Sequence, residues 1–332
     1  MIKRLLLGLL VLLLLLAAVL AANTLRKGSR QIDVAPIAEL PVDKQAAAAH
    51  LSEAVQARTI SSRTDPAQNA DQFARLQAML QERYPKAHAV LKREIISDLS
   101  LLYTWQGSDP KAKPIMLMAH QDVVPVSPGT EDKWSAEPFA GTIRDGFVWG
   151  RGAWDDKGNL IAQMEAVEML AASGYRPERT VYLAFGADEE VAGERGAAKI
   201  AALLKERGVR LDFVIDEGLL ITEGIMPGLA KPTAIIGVAE KGYLSVQVTI
   251  DAVPGHSSMP PPEGTSAIAM MAAALQQIDR NPMPASISGV ADDMFATIAP
   301  EMNGLSRVAL SNLWLFGPVV RRQLEAGAST NA

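Results

Sequence analysis

"PIMLMAHQD" (residues 114–122) is an apolar run that ends abruptly in an imidazole and a carboxylate. A short apolar run bounded by proline and by polar groups reads as a buried strand. The pattern recurs: "TVYLAFGA" (180–187) runs into Asp188, Glu189 and Glu190, and "LDFVID" (211–216) ends at Asp216 beside Glu217. "AVLKREII" (89–96) and "SLLYTW" (100–105) read as further strands. Helical patterns lie among them, over 43–57 and 71–82, the latter stopped by Pro85, then in "NLIAQMEAVEMLAAS" (159–173) and "RGAAKIAALLKERG" (195–208). Strands alternating with helices predict an α/β fold, an open, mixed, largely parallel sheet with helices on both faces.

In such sheets ligands bind beyond the carboxyl ends of the strands, so the three polar clusters are expected to converge. "GRGAWDDKG" (150–158) brings Asp155 and Asp156 to them from the loop before a helix. That many carboxylates repel one another and raise their own pKa values unless a cation neutralises them. The chain has no cysteine, so a metal must be held by His, Asp and Glu. One imidazole with several carboxylates suits Zn2+, with Mn2+ or Co2+ possible, as a pair ~3.5–4 Å apart in two-metal hydrolases. Within "HQD", His120 is placed to bind metal while Asp122 orients its ring. Within "DEE", one residue can serve as ligand and its neighbour as general base.

The 332 residues suffice for about two domains, and a net charge of -5 gives no electrostatic case for nucleic acid. From Leu5 to Ala22 every residue is apolar or glycine, 18 in all, behind Lys3 and Arg4. That length just reaches the ~18–20 residues needed to span a bilayer and favours an uncleaved anchor over a cleaved signal. Either reading puts the rest of the chain outside the cytoplasm. The expected organisation is an anchor or signal segment (1–22), a linker (23–42), a metal-binding domain (43–239) and a second domain from Glu240 to the end (240–332). The second domain opens with alternating "YLSVQVTI" (243–250), then the turn-rich "VPGHSSMPPPEGT" (253–265) and helical "SAIAMMAAALQQI" (266–278).

Four segments, "MLMAHQDVVPV" (116–126), "WSAEPFAGTIRDGFVWGRGAWDDKGNL" (134–160), "GADEEVAGERGA" (186–197) and "VIDEG" (214–218), carry a family resemblance. Together and in order they resemble the M20 metallopeptidase family, in the branch of carboxypeptidase S and the PM20D1-type N-acyl-amino-acid hydrolases. The resemblance implies that His120 binds the first metal with Asp122 behind it, and that Asp155 bridges both metals and is followed by a cis peptide bond. It implies Glu189 as general base and acid, Glu190 as ligand of the second metal and Asp216 as ligand of the first. Asp156 is then a hydrogen-bonding partner rather than a ligand, Lys157 its ion-pair partner, and Asp188 and Glu217 are structural. The implied substrate is a peptide or an N-acyl amino acid with a free carboxylate next to the scissile bond.

From Glu240 the resemblance implies an inserted α+β lid or dimerisation domain, and with it a homodimer. His256, in "PGHSS", matches a family histidine that stabilises a tetrahedral oxyanion, often in the partner subunit's site. His50 and His88 read as ordinary structural histidines. Family members take a last ligand for the second metal from a histidine after the lid, yet this chain has four histidines and none beyond His256. The expectation is therefore an incomplete lid and a weak second metal position, with little activity in the 332 residues by themselves. The competing reading is a non-catalytic pseudoenzyme or binding protein of the same descent; the presence of Glu189, which pure binding does not need, favours descent from an active enzyme.

Overall fold

The structure is a computed structural model that describes residues 1–224, 228–229, 231–240, 242, 244–256 and 258–327. Its contacts divide the chain into two units, one of Pro36–Glu217 and one of Met1–Ala35 with Gly218–Ala332. The expected boundary near Glu240 thus contrasts with a break in contacts after Glu217.

The chain opens with α1 (Ile2–Arg26), whose 25 residues are long and apolar enough to cross a membrane. In the Pro36–Glu217 unit, α2 (Lys44–Gln56) starts where the Asp43 carboxylate accepts the backbone N–H groups of Gln45 and Ala46. Helix α3 (Ala70–Arg83) gives way to α4 (Pro85–Val90), whose first residue is a proline that opens a helix but cannot continue one. Then come β1 (Leu91–Ile96), β2 (Ser100–Trp105), β3 (Ile115–His120), β4 (Thr142–Arg144), β5 (Phe147–Trp149), α5 (Lys157–Ala172), β6 (Val181–Gly186), α6 (Ala197–Glu206) and β7 (Val214–Ile215). Strands β4 and β5 form a separate hairpin around Asp145 and Gly146, both at positive φ (56° and 81°), as a tight two-residue turn requires.

The five-stranded sheet runs β1-β2-β6-β3-β7. Its β1–β2 and β2–β6 pairings are antiparallel, while β6–β3 and β3–β7 are parallel. The sheet is therefore mixed, and its parallel half is the one that matters chemically. His120 registers with Gly186, so β3 and β6 end side by side, while β7 lies parallel to β3 with its last residue, Ile215, in register with Leu117. Alternate side chains of a strand face opposite ways, and the sheet uses both faces. On one, Leu101, Tyr103, Leu183 and Phe185 pack with Leu76 and Leu80 of α3 and Leu160 and Met164 of α5. On the other, Leu102, Met116 and Ala184 meet Ile200 and Leu204 of α6. Each such buried side chain contributes about 1.5–3 kcal/mol, so the layers on either side hold the strand ends at fixed spacing.

In the other unit β8 (Ile221–Thr222) pairs with β9 (Thr233–Ala234), and α7 (Ala267–Arg280) begins at Ser266, whose hydroxyl caps Ala269 N–H. Helices α8 (Val290–Ile298), α9 (Gly304–Ser311) and α10 (Leu313–Glu325), none of them expected, enclose a small core of Leu229, Phe295, Ala299, Met302 and Leu310. At the α9–α10 joint the buried Asn312 amide donates to the Leu20 carbonyl and Thr24 hydroxyl and accepts from Asn23, which ties the end of α1 to these helices. The strand expected over 243–250 is not formed at 244–250, and Tyr243 lies outside the described residues. Alternation supplies an apolar face, but a strand also requires a neighbouring ladder.

Candidate metal centre

His120 is the last residue of β3, and with Gln121 and Asp122 it is buried. The Gln121 side-chain amide donates to the carbonyls of Leu99 (3.0 Å) and Phe185 (2.9 Å), fixing the strand end from below. The His120 ring is held at Nδ1, 2.9 Å from the Asp122 backbone carbonyl and 3.4 Å from its carboxylate. With the Nδ1 proton given to that carbonyl, Nε2 is left to face Asp155 Oδ1 at 2.9 Å.

Asp122 also reaches forward. Its two carboxylate oxygens accept the backbone N–H groups of Glu189 and Glu190, each at 3.1 Å. The same side chain therefore orients the imidazole and holds the turn carrying two further acids. Asp188 closes that turn from the other side, accepting the Arg195 and Gly196 N–H groups at 2.8 Å.

The loop before α5 approaches on a glycine that a larger residue could not replace. Gly152 has φ +82°, and a Cβ there would stand 2.6 Å from Val123 Cγ1. The Asp155–Asp156 peptide bond is cis. Asp155 is exposed toward the cluster, while Asp156 is fully buried and accepts His120 N–H (3.1 Å) and the Asn159 amide. Lys157 is not the ion-pair partner of Asp156. It is fully buried and its ammonium donates to the carbonyls of Ala54 and Ala57 at the end of α2, because the first turn of α5 points it away from the acids into the helix layer.

Electrostatics follow from this crowding. Burial alone would lower the His120 pKa, but the Asp122 hydrogen bond and charge, with Glu217 and Asp156, carry it up to about 10. Burial pushes Glu217 up to about 7 and Asp156 to about 6, and raises Glu189 and Glu190, with neighbouring acids adding to each. The cluster thus holds protons that a divalent cation bound among these groups would displace. Donor geometry agrees: His120, Asp155 and Glu190 bring ligand atoms within 4.8 Å of one another, as do His120, Asp156 and Glu217.

Four of the expected residues, His120, Asp155, Glu189 and Glu190, are therefore brought together, with Asp122 beneath them; Glu189 Oε2 is 3.8 Å from His120 Nε2. Asp216 is not in either donor group. Its carboxylate accepts the N–H of Glu217, and it is Glu217, read from sequence as structural, whose Oε2 lies 3.4 Å from His120 Nε2. Consecutive residues leaving a strand point to opposite sides, so only one of the pair can face the imidazole. His256 lies in the other unit on an exposed loop, its Nδ1 2.8 Å from the Ser258 hydroxyl. His50 contacts Glu165, and His88 lies between the Tyr84 carbonyl and the Tyr103 hydroxyl, both ordinary structural positions.

A model of the family described as "Peptidase family M20/M25/M40" matches residues 116–318. N-fatty-acyl-amino acid synthase/hydrolase PM20D1 of Mus musculus is 40% identical over 285 residues, covering 85% of this chain and 56% of the relative. Probable carboxypeptidase S-like 2 of Dictyostelium discoideum is 36% identical, with 100% and 63% covered. Carboxypeptidase S of Saccharomyces cerevisiae is 41% identical, with 69% and 41% covered. The chain spans about half the length of the curated relatives it matches.

Proposed function

The chain belongs to peptidase family M20/M25/M40, and on that premise we propose that it hydrolyses an amide bond next to a free carboxylate, in a peptide or an N-acyl amino acid. The observation that carries the reading is the convergence of His120, Asp155, Glu189 and Glu190 at the carboxyl ends of two parallel strands and the loop before α5. Zn2+ is the metal assigned; His120, Asp155 and Glu190 would hold it, with Glu217 as the further donor on geometry where the resemblance implied Asp216. Bound there, a divalent zinc would supply a Lewis acid able to polarise a scissile carbonyl and acidify a bound water.

The remaining steps belong to side chains. Glu189, half exposed at the cluster, takes a proton at its carboxylate from the attacking water and returns it to the leaving amine. Its raised pKa suits both directions of transfer, since a carboxylate of ordinary acidity is a poor proton donor at neutral pH. Asp122 keeps this base in register with the metal ligand through the Glu189 and Glu190 amides. His256 is assigned to the developing oxyanion through the likeness of its loop. Residues 240–332 are read as the start of a lid through which a homodimer forms, and α1 as an anchor with the catalytic unit outside the cytoplasm.

The test is hydrolysis of N-acyl amino acids and dipeptides by the zinc-loaded protein. Glu189→Gln should lower turnover by about 10²–10⁴ while zinc content is retained. Full activity in that variant, or a folded protein that takes up no zinc, would end this reading.

A further inference from the structure

Helix α1 carries the unbroken apolar run from Leu5 to Ala22, none of which is buried among the described residues. At 1.5 Å per residue its 18 residues span about 27 Å, close to the ~30 Å hydrocarbon core of a bilayer. Asn23, the first polar residue after the run, therefore marks the edge of that core. It is at this edge that the buried Asn312, at the α9–α10 joint, is fastened to α1. We infer that the α9–α10 joint rests in the headgroup layer of the bilayer that α1 crosses, with Trp314 as its aromatic anchor. The inference rests on the reading of α1 as an anchor and goes beyond it by naming a lipid-facing surface in the unit that holds α1.

Three observations carry it, of which the first is level. The Asn312 amide donates to the Leu20 carbonyl at 3.3 Å and to the Thr24 hydroxyl at 3.2 Å, and its oxygen accepts the Asn23 amide at 3.0 Å. Leu20 belongs to the apolar run and Thr24 lies one turn beyond, so Asn312 sits across the edge of the core. Trp314 Nε1 donates to Asn312 Oδ1 at 3.3 Å, which holds the indole at the same height. The headgroup layer is about 5–7 Å thick, so an indole tied this closely to its inner edge lies within it. The second observation is hydrogen bonding. Asn312 also donates to the Val308 carbonyl at 2.9 Å, so its amide and its oxygen are both fully used. Polar groups beside hydrocarbon have no water to bond and must be satisfied within the protein, as this one is. The third is what faces outward. Trp314 is 60% exposed, Leu315 and Val319 beside it are exposed too, and Arg322 follows a turn further along the same side of α10. Tryptophan settles at headgroup level with its ring embedded and its N–H bonded, and arginine lies along apolar surface while its charge reaches outward. A second copy of the chain docking on this face would have to displace the lipid that surrounds α1 at this height.

The experiment reconstitutes the whole chain in vesicles of phosphatidylcholine and phosphatidylglycerol whose acyl chains are brominated near the glycerol. Trp314 emission is read as the difference between wild type and Trp314→Phe, an exposed position at which the change leaves folding intact. Against unbrominated lipid that emission should drop by about twofold. Asn312→Leu and the milder Asn23→Ala should each restore it by releasing the joint from α1. Because the chain has no cysteine, Leu12→Cys reports the anchor separately: its thiol should resist an aqueous maleimide in vesicles and react once the protein is solubilised and unfolded. Unquenched Trp314 with a protected thiol at position 12 would overturn the inference and keep the anchor, whereas a freely labelled thiol sinks the anchor and this placement with it. Quenching that persists undiminished in both asparagine variants would also overturn the inference. So would shielding of Trp314 that grows with protein concentration and ignores bromine, since it identifies a second copy on this face.

Discussion

Replacing Glu217 by glutamine should change stability in opposite directions with and without metal. Without metal, burial and the charges of Asp156, Asp155 and Glu189 raise the Glu217 pKa from 4.5 to about 7, against the opposing pull of His120. A carboxyl with a raised folded pKa contributes stability fully below its unfolded value and loses it as pH rises through the folded value. Glutamine never ionises, so in chelator the variant should gain on wild type between pH 4.5 and 7. A shift of this size corresponds to about 3 kcal/mol, and the one-third exposure of the side chain reduces that to about 1–2 kcal/mol. With zinc the order reverses, because the amide is a poorer ligand. A hundredfold loss of affinity removes about 2.7 kcal/mol of zinc-dependent stabilisation at saturating metal. Urea melts at pH 4.5, 6 and 7.5, in EDTA and in zinc, read both signs, with Asp216→Asn alongside. If Asp216→Asn abolishes the zinc effect while Glu217→Gln leaves it intact and shows no pH slope in EDTA, the placement of Glu217 is refuted.

Asp122→Asn keeps the shape but cannot accept both Glu189 and Glu190 N–H groups. It should lose about 1–3 kcal/mol of stability and about 10–100-fold in zinc affinity, measured by urea melts and calorimetric titration; unaltered zinc binding would remove Asp122 from the site. Lys157→Met should cost about 1–3 kcal/mol by leaving the Ala54 and Ala57 carbonyls unpaired. Burial lowers the Lys157 pKa to about 7, so the unfolded chain binds the extra proton between about pH 7 and 10.5 and wild type gains stability as pH rises there. The gap between wild type and Lys157→Met should widen over that range in paired melts, and a gap independent of pH would argue against the burial that lowers the Lys157 pKa.

Much of the sheet and of the cluster at its strand ends is legible in the sequence. The five strands and the helices over 43–57, 71–82, 159–173 and 195–208 were legible because each couples a clear hydrophobic period to proline, glycine or capping punctuation. So was the convergence of His120, Asp155, Glu189 and Glu190, which follows once parallel strands share an end. What escaped reading depends on relations between residues that period does not encode. Asp216 and Glu217 are adjacent acids, and the direction in which the chain leaves β7 decides between them. Lys157 follows two aspartates in sequence yet answers to carbonyls of α2, about a hundred residues earlier. The β4–β5 hairpin did carry a local signal, the Asp145–Gly146 pair between alternating apolar residues. Conversely, the alternation at 243–250 was real as a pattern but is not a strand at 244–250.

The arrangement of the two units has a consequence for biosynthesis. Every donor side chain of the metal cluster lies between His120 and Glu217, inside a unit that is one unbroken stretch of chain, whereas the other unit joins the first 35 residues to those after Glu217. A ribosome has therefore delivered all of these donors before any residue after Glu217 is made. At ~5–20 residues per second each further ten residues take about 0.5–2 s, long compared with the formation of helices and hairpins. The order of synthesis gives the nascent cluster time to gather its strand ends before the segments that pack with α1 exist.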